Sequence, residues 1–86
     1  MREYAVVFEK SRTGWSAFCP DLPGLAVSGA TFEEVQELIC EGLDFHLEAM
    51  LEDRDPIPEP STRTRMISVE VPNEAGLRRV LGSRKA

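Results

Sequence analysis

The sequence predicts an α+β domain with the element order β-β-β-α-β, in which one long helix lies on one face of a mixed sheet. Three observations predict it: one helical pattern near the middle of the chain, three alternating segments before it, and one alternating segment after it. No other segment is periodic over enough residues to form a second long helix. The 86 residues are enough for one domain, which we place at residues 1–71, followed by a short basic tail at residues 72–86.

The predicted helix begins at Thr31, a favourable N-cap residue, because Glu34 three positions later completes a capping box. Apolar residues then recur at three- and four-residue steps, and Pro56 and Pro58 end the pattern because proline cannot continue a helix. Acidic residues crowd into an arc of about 100°: Glu33, Glu34, Glu37, Glu41, Asp44, Glu48 and Glu52. The remaining apolar arc is about twice as wide as a surface helix needs, so part of it is expected to contact a partner.

The three segments before the helix are short and have strand patterns. In the first, Tyr4, Val6 and Phe8 fall on one face and Ala5 and Val7 on the other. Tyr4–Glu9 and Trp15–Cys19 are joined by a short turn and predict an antiparallel hairpin. Pro20–Gly24 follows, with two prolines and a glycine that restrict the backbone, and Leu25–Ser28 is a short third strand. Both faces of the hairpin carry aromatic residues, which again indicates that a second surface covers this domain.

A proline-rich connector, residues 55–61, leads from the helix to the last predicted strand. In Arg65–Val71, the apolar residues Ile67, Val69 and Val71 occur at every second position, which predicts a fourth strand. A long helix allows this strand to run parallel to an earlier one through a right-handed crossover, which makes the predicted sheet mixed.

A domain this small buries only about 60% of its unfolded surface and is marginally stable alone. We therefore predict a homo-oligomer, a dimer or a tetramer. The candidate interface residues are Trp15, Phe45, Leu47 and Leu51.

Charge is divided unevenly along the chain. Residues 1–61 carry four basic and thirteen acidic side chains, whereas residues 62–86 carry six basic and two acidic ones. The acidic body disfavours general nucleic-acid binding, because phosphates repel it. The sequence has no secretory signal pattern and no apolar run long enough to span a membrane, so we expect a cytoplasmic protein. Cys19 and Cys40 lack metal-ligand spacing and predict reduced thiols.

No constellation of residues predicts catalysis. His46 is the only histidine and falls on the apolar arc, so a hydrogen-bonded core or interface histidine is favoured over a catalytic one. Asp21 is favoured as a turn former over a general base. Carboxylates at helical spacing could hold a divalent cation, which leaves a metal-dependent nuclease open as an alternative, although a solvated polar face is favoured. We predict no enzymatic activity and no cofactor.

The order and spacing of several short motifs resemble the HicB-like antitoxin family. The motifs are Tyr4–Glu9, Gly14-Trp15, Pro20–Gly24, Gly29–Glu34, Pro56–Ser61 and Ile67–Val71. The similarity covers roughly residues 3–71. Ala30 and Leu25 depart from the family pattern, which often has an acidic residue and a cysteine at these places. Many members append a DNA-binding domain, but only residues 72–86 follow here, so direct DNA binding is not expected.

The resemblance implies a partial ribonuclease-H-like fold and a role as inhibitor of a small toxin, of the HicA type, that cleaves messenger RNA. Since such a toxin is basic where it holds RNA, we predict that the acidic helix face attracts it, next to the rigid loop after the second strand. The predicted toxin-contact residues are Glu37, Glu41, Asp44, Glu48, Asp21 and Leu22. The alternative is an oligomeric domain of the same fold that binds a small ligand or serves a structural role.

Overall fold

The computed structural model describes residues 1–72 of the chain, in which three strands are followed by one helix. The strands are β1 (Val7–Lys10), β2 (Trp15–Phe18) and β3 (Ala26–Gly29), and the helix is α1 (Phe32–Glu52). The strands form an antiparallel sheet in the order β1-β2-β3. The predicted α+β class, the first three strands and the long helix are confirmed.

A tight turn joins β1 to β2. Lys10 pairs with Trp15 at the end of the ladder, and the Ser11 amide donates to the Gly14 carbonyl oxygen at 2.8 Å. Gly14 lies against the end of β3, where a Cβ atom would overlap the backbone carbonyl oxygen of Gly29. The glycine at the end of this turn is therefore required by packing and not only by turn geometry.

The core lies between α1 and one face of the sheet. The buried side chains come from β2, from the loop that follows it and from the first half of the helix: Ala17, Cys19, Leu22, Leu25, Val35 and Ile39. Phe32 closes one end of this core, because its ring lies 4.6 Å from that of Phe8 and 5.2 Å from that of Trp15. Cys19 is buried and Cys40 is exposed on the helix, and neither forms a disulfide.

Both ends of α1 are capped by local hydrogen bonds. The Glu34 amide donates to Thr31 Oγ1 at 3.1 Å, as the predicted capping box requires. The Glu34 carboxylate accepts from the amide of Ala30 at 3.1 Å, one residue before the N-cap. At the other end, Arg54 adopts φ 58°, and its amide donates to Leu51 while that of Asp55 donates to Met50. This is a Schellman motif, in which glycine is the usual left-handed residue.

The predicted fourth strand is wrong for this monomer. Arg65–Val71 is in neither a strand nor a helix, and the sheet of residues 1–72 is purely antiparallel and not mixed. Ile67, Val69 and Val71 are 74%, 77% and 83% exposed. An alternating pattern describes which side chains share a face, but a strand also needs a partner for its amide and carbonyl groups. The rest of the described chain provides none. The predicted basic tail lies outside the described residues except for Pro72.

Candidate protein-interaction site

The loop between β2 and β3 is held by its own backbone. The Leu22 amide donates to the Cys19 carbonyl oxygen, and the Leu25 amide donates to that of Leu22, at 3.1 and 3.2 Å. Gly24 has φ +91°, a conformation that L side chains rarely adopt. Leu22 is 1% exposed, so the structure removes its side chain from the predicted toxin-contact surface and places it in the core. The loop is an anchored element of the domain.

The side chain of Asp21 points from this loop to the connector after the helix. Its Oδ2 accepts from the amides of Ser61 and Thr62 at 2.9 and 3.1 Å. Its Oδ1 accepts from the hydroxyl groups of the same two residues at 3.0 and 2.8 Å. We call these four hydrogen bonds the Asp21 clamp. They are charge-assisted bonds to a carboxylate, and they fix the point at which the chain leaves the domain.

The Asp21 clamp makes stability depend on pH. Hydrogen bonds from the Thr62 and Ser61 amides, followed by those from the side chains, lower the pKa of Asp21 from 3.8 to about 2. Because the pKa is lower in the folded state, the stabilisation is complete above pH 3.8 and is lost as pH falls through about 2.

We expect D21N to melt at a lower temperature at pH 7, and the wild-type and D21N melting temperatures to converge between pH 4 and pH 2. D55N, at an exposed connector position, is the control. A constant difference across that range would contradict this assignment.

A second set of contacts fastens the connector to the N-terminal segment. The Tyr4 hydroxyl donates to the Pro58 carbonyl oxygen at 2.6 Å. The Arg2 guanidinium lies 3.0 Å from the Glu59 carboxylate and 3.4 Å from the Ile57 carbonyl oxygen. The connector is therefore attached at two places to residues that lie forty or more positions away in the sequence.

Four of the five predicted acidic contact residues lie on α1 and share one exposed face. They are Glu37, Glu41, Asp44 and Glu48, and we call them the acidic stripe. The four positions span about 16 Å along the helix axis at 1.5 Å per residue. Within residues 1–72, neither Arg63 nor Arg65 forms an ion pair with the stripe. The last turn of α1 also contains no basic residue.

The predicted oligomer-interface residues fall into two groups. Phe45 and Leu51 are 76% and 64% exposed. Trp15 and Leu47 are half-buried and pack against the core, and the Trp15 indole makes an edge-on contact with Phe32. Of the four predicted interface residues, Phe45 and Leu51 are therefore the two whose large apolar side chains are mostly exposed.

An apolar groove runs between the helix, the connector and the N-terminal segment. Its volume is about 420 Å³. It is lined by Arg2, Tyr4, Leu43, Asp44, Leu47, Leu51 and Ile57. Asp44 thus belongs both to the acidic stripe and to the rim of the groove, and a partner that binds the stripe would also meet an apolar surface.

The part of the chain that the structure describes contains no group of three or more His, Cys, Asp or Glu side chains arranged to hold a metal ion. His46 is half-buried on α1. No helix among residues 1–72 is both long and apolar enough to cross a membrane.

Sequence reasoning missed the partners of the connector. Ser61 and Thr62 end a proline-rich stretch, and nothing in their spacing relates them to Asp21, forty residues earlier. The bond from Tyr4 to Pro58 is also not predictable, because in the sequence Tyr4 shows only the alternating pattern of the first strand. The sequence indicates that the loop and the connector are each stiff, but it does not indicate that they are in contact.

The chain is similar in sequence to several known proteins. Residues 4–77 match the family model described as "HicB_like antitoxin of bacterial toxin-antitoxin system". The chain is 33% identical over 69 residues to the UPF0150 protein ssr1765 of Synechocystis sp., covering 79% of this chain and 87% of that protein. It is 39% identical over 69 residues to Antitoxin HicB 2 of Photorhabdus laumondii, covering 80% of this chain but only 49% of the antitoxin. The chain thus spans about half the length of that relative.

A solved structure is also similar. A chain in the structure titled "HicA3 and HicB3 toxin-antitoxin complex" superposes with a TM-score of 0.59 at 27% sequence identity, and the match covers 70% of each chain. Together with the match over residues 4–77, this means that the chain belongs to the HicB-like antitoxin family.

Proposed function

We propose that the chain is a non-enzymatic, cytoplasmic antitoxin that binds a small HicA-type toxin and covers the surface with which the toxin cleaves messenger RNA. Family membership and the similar chain in a toxin-antitoxin complex support the general role. The observation that carries the proposal is the acidic stripe, which is exposed along α1.

The negative charge of the acidic stripe is complementary to the surface of an enzyme that holds RNA. Such an enzyme presents positive charge to the phosphates, and a protein that blocks it gains from presenting negative charge at similar places. Complementary charges mainly accelerate encounter and set specificity, whereas buried apolar contacts provide most of the affinity. The apolar groove beside Asp44 supplies such a surface. Asp21 acts from within the domain in this proposal, since its carboxylate oxygens are occupied by the connector.

We also propose that the protein assembles with itself as a dimer or tetramer. Phe45 and Leu51 leave apolar surface on α1 that the rest of residues 1–72 does not cover. The strand order and the helix are compatible with the partial ribonuclease-H-like arrangement that the family resemblance implies, although the sheet formed by residues 1–72 has three strands and not four.

The test is to co-express the chain with the product of a neighbouring gene that encodes a small basic protein. The two should co-purify, and adding the purified chain to that partner should abolish RNA cleavage at about equimolar ratio. The chain alone should not cleave RNA with or without Mg²⁺. Cleavage that continues at a tenfold excess of the chain, or a partner that never co-purifies, would reject the proposed function.

The groove supports a second candidate, a domain that binds a small ligand. Its volume of about 420 Å³ is within the range of small-molecule sites. Mass spectrometry of the native purified protein distinguishes the two candidates. A bound small molecule whose retention is lost in L47A, together with no toxin partner, would favour the ligand-binding role.

A further inference from the structure

The segment Arg65–Val71 has the side chains of a strand but no place in the sheet. Ile67, Val69 and Val71 fall on one side of an extended chain, and all three are at least 74% exposed. Met66, on the other side, is 98% exposed. Four large apolar side chains in one short exposed segment are unusual for a monomer, and such segments mark interaction surfaces.

The start of this segment is held in position. The Asp21 clamp fixes Ser61 and Thr62 against the loop after β2, and the Tyr4 bond fixes Pro58. From the clamp, residues 63–71 in extended form reach about 30 Å at about 3.3 Å per residue. The segment thus leaves the domain from a defined point and is long enough to reach a neighbouring molecule.

The sheet offers places where another strand can pair. β1 and β3 are its two outer strands, and each has one side without a neighbour within residues 1–72. Unpaired edges accept an additional strand through main-chain hydrogen bonds.

Charge favours a second copy of this chain as the partner. The segment begins with Arg65, and Arg63 lies two residues before it, whereas residues 1–61 carry an excess of acidic side chains. A second copy therefore presents the opposite charge to the start of the segment, while a basic toxin would repel it. If each of two identical chains binds the segment of the other, every contact is made twice. Such two-fold symmetry is usual in homodimers.

We propose that Arg65–Val71 becomes a β-strand in a homodimer, in which each copy contributes this segment to the other copy. The inference rests on the proposed self-assembly and names the element that carries it. The strand predicted from the sequence then forms between chains and not within one chain.

The test compares V69D with S68D in the full chain. Both variants add one negative charge, but Val69 lies on the apolar side of the segment and Ser68 on the opposite side. We expect the wild type and S68D to sediment as dimers at micromolar concentration, and V69D to weaken the dimer by about 100-fold or more. Amide hydrogen exchange should show residues 65–71 protected in the dimer and exposed in V69D. Unchanged circular dichroism of V69D would show that the domain itself remains folded.

Three results would overturn the inference. A wild-type monomer with residues 65–71 unprotected means that the segment is unpaired, and a monomer with these residues protected means that it pairs within its own chain. If V69D remains dimeric and F45E dissociates, self-assembly holds but uses the helix surface instead. Toxin affinity is measured separately on V69D, so a failed dimer and a failed antitoxin function are distinguishable.

Discussion

The variant E37Q/E41Q/D44N/E48Q removes the four negative charges of the acidic stripe. It should slow association with the toxin by at least about tenfold at low salt. The dependence of the association rate on salt should flatten, because exposed charges are screened beyond about 8 Å at physiological ionic strength. Dissociation should change less, since apolar contacts provide most of the affinity. Stopped-flow mixing at several salt concentrations measures both rates.

A matched control separates the stripe from net charge. Four other exposed carboxylates are neutralised in it: Glu3, Glu9, Asp53 and Asp55. The control has the same net charge as the stripe variant and should associate nearly as fast as the wild type. Equal slowing in both variants would assign the effect to overall charge and not to the helix face.

The competing explanation is that the chain's own arginines neutralise the stripe. Arg63 and Arg65 form no ion pair with it within residues 1–72, and Arg78 and Arg79 lie outside the described residues. If these arginines did pair with the stripe, the glutamine variant would melt at a lower temperature and associate at the wild-type rate. We expect the opposite, because removing like charges at helical spacing stabilises α1 by a few tenths of a kcal/mol per pair. An unchanged association rate would reject the electrostatic role.

Substituting Ile39 with alanine should lower the free energy of unfolding by about 2–5 kcal/mol, the range for large-to-small changes in a packed core. Ile39 is 1% exposed and lies in the cluster that joins α1 to the sheet. Since small domains are stable by only about 5–15 kcal/mol, this loss removes a large part of the total. Urea unfolding followed by the fluorescence of Trp15 measures it.

The control for Ile39 is Leu51 on the same helix. Leu51 is 64% exposed, so L51A should change stability by less than about 0.5 kcal/mol. Protein concentration must be equal for all variants, because self-association adds to apparent stability. If I39A does not fold, I39V should still lose about 0.5–1.5 kcal/mol. Equal losses in I39A and L51A would mean that the core is not where the structure places it.

Local interactions made the helix predictable from the sequence. The start of α1 depends on Thr31 and Glu34, which are three residues apart, and its apolar positions follow the helical period. The first hairpin was predictable for the same reason, since a short turn ending in Gly14 connects two neighbouring strands. The exposed acidic stripe also followed from the period of α1, because charged residues on one side of an amphipathic helix face the solvent.

The tertiary structure alone decided which of the predicted contact residues are exposed and where the chain leaves the domain. Leu22 and Asp21 are neighbours in a loop, yet the Leu22 side chain lies in the core and the Asp21 side chain binds the connector. Contacts between residues forty positions apart leave no periodic signal, so the Asp21 clamp was not predictable. The pattern of Arg65–Val71 was read correctly as alternating, but a strand forms only where main-chain groups find a partner, and the sheet of this monomer does not extend to that segment.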